Sequence, residues 1–197
     1  MKKLISAAVL ATFTQAASAE EFDINLGEDS VRAVLSGPLS RVFDGVTGQY
    51  DFGAIYKEGK DNPTQAEDVE LLLGHVGALA TGDMGAKGAD AAAGLGARFV
   101  VADRGDSTGA AIALGGQFEV RMPSFERLSL TGYGYIAPGI LSFSDVKNYS
   151  EFALDVEFEV VRAASVYAGY RRVNLKPEPT GPAKADDGAH LGLRLNF

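Results

Sequence analysis

Three short patterns contain residues that could do chemistry, and the first is Gly105-Asp106-Ser107-Thr108-Gly109. It matches the G-x-S-x-G pattern in which hydrolases hold a serine nucleophile, but that serine needs a strand–turn–helix setting and a histidine base. The two histidines, His75 and His190, both fall within predicted strands, and strands flank the motif on each side. The pattern therefore predicts a polar hairpin loop rather than an enzyme.

The other two patterns indicate loops rather than sites. Arg104-Gly105-Asp106 resembles an adhesion tripeptide, but so short a match among turn-forming residues is usually chance. Asp61, Glu67 and Asp68 could bind calcium, yet nothing fixes their geometry, so a solvated acidic loop is the simpler interpretation. The two histidines are too isolated to predict a metal site. We expect no catalytic residue, metal or cofactor.

Alternation of apolar and polar residues dominates the chain after residue 20. In 151–160 every even position is apolar, and four of the five odd positions are acids. A helix would scatter these acids around its axis, whereas a strand separates one apolar face from one acidic face. A membrane barrel turns the apolar face toward lipid and the polar face toward its lumen.

We predict ten strands, at 22–26, 30–36, 46–57, 67–79, 91–102, 109–121, 126–137, 149–161, 164–174 and 188–197. A strand of about 11 residues is about 36 Å long, and a tilt of about 45° leaves about 26 Å along the membrane normal. An even number of strands places both barrel termini on the periplasmic side. The first two strands could be one irregular strand, so eight strands remain an alternative. The segment 80–90 is longer than a periplasmic turn should be.

Charged residues opposite the apolar faces predict a charged lumen. The candidates are Asp51, Glu70, Arg98, Glu119, Arg121, Asp155, Glu157, Glu159, Arg171 and Arg194, with Asp68, Glu151 and Arg127 beside them. Buried charges are costly unless paired, so mixed signs in a narrow interior favour a structural ion-pair network. The alternative is a cation-leaning channel, because a ring of carboxylates selects ions by its field. Side chains nearly fill a barrel of this size, which favours the network.

The start of the chain predicts export. Lys2 and Lys3 precede an apolar stretch over 4–14, and small residues at 17–19 form a cleavage site ahead of Glu20. We therefore predict a signal peptide over 1–19 and one barrel domain over 20–197. Cleavage removes two lysines and no acids, which takes the net charge from −8 to about −10 and argues against a nucleic-acid partner. No later segment has the roughly 20 apolar residues that a membrane helix requires, which leaves a closed barrel as the membrane-spanning form.

The last eight residues have the order polar-x-Gly-x-x-apolar-x-aromatic, carried by His190, Gly192, Leu195 and Phe197. This order is typical of the closing strand that outer-membrane barrels present to their insertion machinery. We therefore expect that machinery to be a partner during assembly, and outer-membrane lipids to surround the folded barrel.

Several segments resemble the YfaZ family of outer-membrane proteins. They are Leu114-Gly115-Gly116-Gln117-Phe118, 135–145 (Tyr-Ile-Ala-Pro-Gly-Ile-Leu-Ser-Phe-Ser-Asp), 148–151 (Asn-Tyr-Ser-Glu), 167–172 (Tyr-Ala-Gly-Tyr-Arg-Arg) and the closing 188–197. The resemblance covers most of the mature chain and is sharpest from about residue 92 onward. It implies a small barrel in the outer membrane of a Gram-negative bacterium, and it supplies no catalytic residues and no settled substrate.

The sequence thus predicts an all-β protein, a single transmembrane antiparallel barrel of eight to ten strands. We expect a non-enzymatic role as a narrow pore for small solutes or ions, or as a structural or surface-binding barrel. One alternative is an outer-membrane enzyme that acts on lipid or peptide at the outer rim. The other is a soluble periplasmic barrel that binds an apolar ligand.

Overall fold

A computed structural model of the chain describes residues 20–59, 70–85, 90–104, 107–144, 146–177 and 183–197. Its strands are β1 Glu21–Leu26, β2 Ser30–Pro38, β3 Gln49–Lys57, β4 Leu71–Asp83, β5 Asp90–Arg104, β6 Ser107–Met122, β7 Phe125–Ala137, β8 Ser142–Ser144, β9 Val146–Val161, β10 Ala164–Pro177 and β11 Ala183–Asn196. Two short 3-10 turns, Leu39–Arg41 and Gly139–Leu141, lie between strands. No helix in this part of the chain is long and apolar enough to cross a membrane. The predicted signal peptide lies outside the described residues.

Ten of these strands close into one antiparallel barrel within the described residues. Each long strand pairs with the next along the chain, and β7 pairs directly with β9 because β8 is a short strand on the edge of β6. The barrel closes where β1 pairs with β11, from Glu21↔Asn196 to Leu26↔Leu191. The predicted all-β antiparallel barrel with an even number of strands is confirmed, with ten strands rather than eight. We call the end at which β1 begins and β11 ends the base, and the opposite end the top.

β1 and β2 are two separate strands, as predicted, and β1 is the one that closes the barrel. The other predicted strands match the observed ones to within a few residues, except at two places. β4 extends to Asp83 and β5 begins at Asp90, so five of the eleven residues in the predicted loop 80–90 belong to strands. β11 begins at Ala183, five residues before the predicted start.

The outward faces of the strands are apolar and the inward faces are polar, as predicted. On β9, Phe152, Leu154 and Val156 expose 46%, 49% and 51% of their surface, whereas Glu151 and Asp155 on the other face expose 2% and 5%. The same phase holds on β3, β5 and β6. Among the described residues, the barrel therefore has an apolar outer belt.

Strand β4 has the opposite phase from the predicted one. The lumen assignment of Glu70 requires Leu71 and Leu73 to face outward, but both are buried inside the barrel and Leu72 faces outward. Glu70 therefore does not face the lumen; it is exposed and interacts with Tyr56 on the outer surface. Three consecutive leucines carry no alternation, so hydrophobicity could not set the phase here.

The barrel interior has three layers between top and base. The top layer is an apolar core made by Ile55, Leu71, Leu73, Val100, Ala102, Ala111, Ala113, Ala137, Val146, Tyr149, Val173 and Leu175. Buried charged and hydrogen-bonded side chains form the middle layer. A cavity of about 420 Å³, the vestibule, occupies the base. The polar middle layer and the vestibule form the candidate site.

Candidate functional site

Arg98 is the centre of one half of the middle layer. Its guanidinium lies 2.7 Å from Asp51 Oδ2 and 3.4 Å from Glu151 Oε2, and it stacks 3.9 Å from the ring centre of Tyr135. The other oxygen of Glu151 accepts a hydrogen bond of 2.8 Å from the Tyr133 hydroxyl. We call Asp51, Arg98, Glu151 and these tyrosines the Arg98 cluster. Because the charged members are nearly fully buried, each depends on the others for compensation.

Arg171 is the centre of the other half, where the barrel closes. Its Nε donates to Asp186 Oδ2 at 2.6 Å and its Nη1 donates to Asn25 Oδ1 at 2.6 Å. The Asn25 amide donates to the Tyr167 hydroxyl, which donates to Asp23, each at 2.8 Å. These bonds join β1 to β10 and β11. The polar network therefore links β1 to β10 and β11 across the β1–β11 pairing that closes the barrel.

Each of the two histidines is paired with a buried aspartate in the wall. His75 Nε2 lies 2.9 Å from Asp51 Oδ2, and His190 Nε2 lies 2.9 Å from Asp155 Oδ1. The second pair crosses the intervening strand over Gly169, which is in register with both residues. A Cβ on Gly169 would clash with the Asp155 carboxylate, so a glycine there lets the two side chains meet.

Two further arginines lie at the base, and each has three carboxylate partners. Arg194 contacts Glu21, Asp23 and Glu157. Arg121 contacts Asp90, Glu119 and Glu159 at 3.9, 3.1 and 3.2 Å. The Arg194 group is largely buried, whereas the Arg121 group is partly exposed at the opening. Carboxylates therefore outnumber arginines at the open end of the barrel.

The vestibule opens at the base and ends at the middle layer. Arg32, Arg98 and Arg171 line its inner end, and Gln49, Gln117 and Glu119 line the wall nearer the base. Above them, the apolar top layer has side chains that are almost fully inaccessible. The described residues thus form a one-sided cavity rather than a continuous passage.

The family model described as YfaZ precursor matches residues 1–197, which is the whole chain. The chain belongs to the YfaZ family. A search of curated proteins found no match.

The structure places nine of the ten predicted lumen residues of this YfaZ-family barrel in the interior or at its opening. They are Asp51, Arg98, Glu119, Arg121, Asp155, Glu157, Glu159, Arg171 and Arg194. Glu151 joins them, Glu70 does not, and Arg127 is exposed at the base. Asp61, Glu67 and Asp68 lie outside the described residues.

Other members of the network were missing from the prediction. They are Asp23, Asn25, Arg32, Tyr133, Tyr167 and Asp186 and the two histidines. Alternation was a usable signal in β1, where Asp23 and Asn25 lie between apolar residues, whereas the run Ala33-Val34-Leu35 interrupts it in β2. The histidine–aspartate pairs join different strands, and no pattern along the chain reports such a contact. Inward-facing glycines could have indicated where large side chains pack inside the barrel, because Gly53, Gly169 and Gly192 each lie against one.

The remaining motifs have structural explanations. β6 begins with Ser107, Thr108 and Gly109, so the G-x-S-x-G serine is followed by a strand and not by the helix that a nucleophile elbow needs. The first two residues of that motif lie outside the described part of the chain.

In the closing octapeptide, His190 faces inward with Gly192, whereas Leu195 and Phe197 face outward. A Cβ on Gly192 would clash with the Tyr167 ring.

Proposed function

We propose that this protein is an integral outer-membrane barrel of a Gram-negative bacterium. The outer belt of half-exposed Phe, Leu and Val side chains supports this location, because lipid can cover such a surface and water cannot do so favourably. The family description names a precursor, which is consistent with a cleaved leader over 1–19. Assembly would then depend on the closing strand, with Leu195 and Phe197 on the outer face available to the insertion machinery.

We further propose a non-enzymatic, structural or binding role with a sealed interior. The observation that carries this proposal is the order of the layers: an apolar top, a paired polar middle and a vestibule at the base. Narrow interiors filled by side chains conduct poorly, because an ion would have to leave water to cross the apolar layer.

The two Asp–His pairs are the residues closest to catalytic chemistry in this barrel. In each pair Nε2 faces an aspartate, and in the described structure Nδ1 makes no hydrogen bond to a serine or threonine hydroxyl. Nucleophilic catalysis requires such a hydroxyl within reach of the imidazole. The pairs therefore support a structural interpretation over the alternative of an outer-membrane enzyme.

A narrow pore is the second candidate, and the vestibule is the observation in its favour. Planar-bilayer recording on refolded protein separates the two candidates. A sealed barrel produces no sustained current steps, whereas a pore produces steps of reproducible size. Insertion is checked on the same preparation by flotation with vesicles and by heat-dependent gel migration. Sustained steps that scale with protein concentration would replace the sealed-barrel proposal with the pore.

Membrane location is tested separately by fractionation. Protein that remains with salt- and carbonate-washed outer membranes supports an integral barrel, whereas release into the soluble fraction supports the periplasmic alternative. Mass spectrometry of the same fraction tests the leader: the mature chain should begin at Glu20 and lack Lys2 and Lys3.

A further inference from the structure

The connection between β2 and β3, residues 39–48, is an ordered loop at the base of the barrel, and we call it the base loop. Its main chain is hydrogen-bonded: Leu39 N–H donates to the Gly48 carbonyl, and Phe43 N–H donates to the Leu39 carbonyl, each at 2.9 Å. Gly48 has a positive φ of 131°, and a Cβ there would lie 2.2 Å from the Leu79 carbonyl oxygen. A glycine at this position therefore lets the loop lie directly against β4.

A polar contact joins the base loop to the outward side of the barrel wall. The Glu20 carboxylate accepts hydrogen bonds from the Tyr50 hydroxyl at 3.0 Å and from Arg41 Nη1 of the loop at 3.3 Å. The Tyr50 ring lies over Gly37 of β2, and it is 5.4 Å from the ring of Phe52 on the outward face of β3. The loop is therefore held beside the base end of the outer belt.

Three apolar side chains of the base loop are exposed. Val42, Phe43 and Val46 expose 57%, 59% and 43% of their surface, which is comparable to the 49% of Phe52 on the belt. Apolar surface that stays in contact with water forgoes the free energy of burial. Because the loop is ordered by its own hydrogen bonds, it holds this apolar cluster in place at the barrel surface.

The size and position of the cluster favour lipid over a protein as its neighbour. The three side chains expose roughly a few hundred Å² in total, whereas a stable protein interface buries about 800 Å² on each partner. Contact with lipid has no such minimum area, and the cluster continues the outer belt from Phe52 toward the base. Apolar side chains beside polar groups such as Arg41 and Tyr50 are also the composition of segments that lie at a membrane–water interface.

We propose that the base loop is a membrane-interface anchor, in which Val42, Phe43 and Val46 enter the acyl boundary of the leaflet nearest the base. The bonds of Glu20 to Tyr50 and Arg41 hold the loop in the orientation that permits this contact. The inference rests on the proposed outer-membrane location, and it adds a lipid contact made by a loop to the contacts made by strands.

The test places one fluorophore at a time on a cysteine introduced into the cysteine-free chain, after the barrel is refolded into phosphatidylcholine vesicles. Phe43→Cys and Val42→Cys report on the base loop. Ser124→Cys, in the turn between β6 and β7 at the same end, is the matched control, and Phe99→Cys on the belt reports membrane location. Heat-dependent gel migration checks that each variant folds. Quenching is measured with lipid spin-labelled near the headgroup, with lipid spin-labelled near the chain end, and with aqueous iodide.

The expected result is that the headgroup-region spin label causes the largest loss of fluorescence at positions 43 and 42, and that iodide causes the largest loss at position 124. Iodide quenching of both loop labels as strong as at 124 would overturn the proposal, because the loop would then lie in water. Protection of both loop labels from every quencher would also overturn it, because protein would then cover the loop. Lipid quenching at position 99 in either case limits the failure to the base loop, whereas its loss at 99 means that the proposed location fails as well.

Discussion

The Arg98→Met variant will unfold at a lower urea concentration than the parent barrel, because Arg98 compensates two buried carboxylates at once. Its guanidinium contacts both Asp51 and Glu151, and the three side chains are 3%, 6% and 0% exposed. Methionine keeps most of the volume and none of the charge. The substitution therefore leaves two carboxylates in a dry interior without their shared cation.

The expected loss is large for one substitution. Breaking a buried ion pair by removing one partner destabilises a protein by about 3–5 kcal/mol. Arg121→Met is the matched control, because Arg121 also has carboxylate partners but is 38% exposed, and its partners are 30–80% exposed. Solvated ion pairs contribute about 0–1 kcal/mol, so the control should change stability by at most about 1 kcal/mol.

The assay is urea unfolding of refolded protein in detergent micelles, followed by far-ultraviolet circular dichroism. A double variant, Arg98→Met with Glu151→Gln, should lose less than the sum of the two single losses, because the two residues interact directly. If Arg98→Met loses no more stability than Arg121→Met, the middle layer is hydrated and the sealed-interior account is refuted.

Three other substitutions test the outer belt, the glycine packing and the closing strand. Val156→Arg should destabilise the membrane-inserted barrel by about 2–4 kcal/mol near the midplane. Asp155→Asn, on the opposite face of the same strand, should leave the barrel inserted. Equal insertion of both variants in a vesicle-refolding assay would invert the inside and outside assignment. Gly192→Ala should lower the free energy of unfolding in urea by about 1–3 kcal/mol, because a Cβ there would clash with an aromatic ring. Gly188→Ala, on the same strand, should have little effect, because no atom lies within 4 Å of a Cβ at that position. Phe197→Asp should allow export but block assembly, and normal outer-membrane levels with unchanged gel migration would contradict the role of the closing aromatic.

Much of the fold was predictable from the sequence, because alternation of side chains directly encodes the two faces of a strand. Segment 151–160 shows this most clearly: its acids face inward and its Phe, Leu and Val residues face outward. The signal failed where both faces are apolar. At Leu71 and Leu73 the inner wall belongs to the apolar top layer, so alternation disappears and the predicted phase of β4, with Glu70 in the lumen, was wrong.

The candidate site was only partly predictable, since a contact across the barrel leaves no pattern along the chain. His190 and Asp155 meet only because β10 between them has a glycine in register with both. Asp23 could have been found, because β1 alternates from Phe22 to Leu26, whereas Arg32 precedes the apolar run Ala33-Val34-Leu35 that hides the phase of β2. The vestibule depends on the sizes of side chains from many strands at once, which no local pattern reports.

Lipid exposure of the outer belt tests the central claim most directly. The chain has no cysteine, so single cysteines can be introduced at Val156 and Phe99 on the belt and at Ser124 in the base turn. Each is labelled with a fluorophore after the barrel is refolded into vesicles, and quenching by spin-labelled lipid is compared with quenching by aqueous iodide. The account predicts that lipid quenches the labels at 156 and 99 and that iodide quenches the label at 124. Iodide quenching of the belt labels, without lipid quenching, would contradict it.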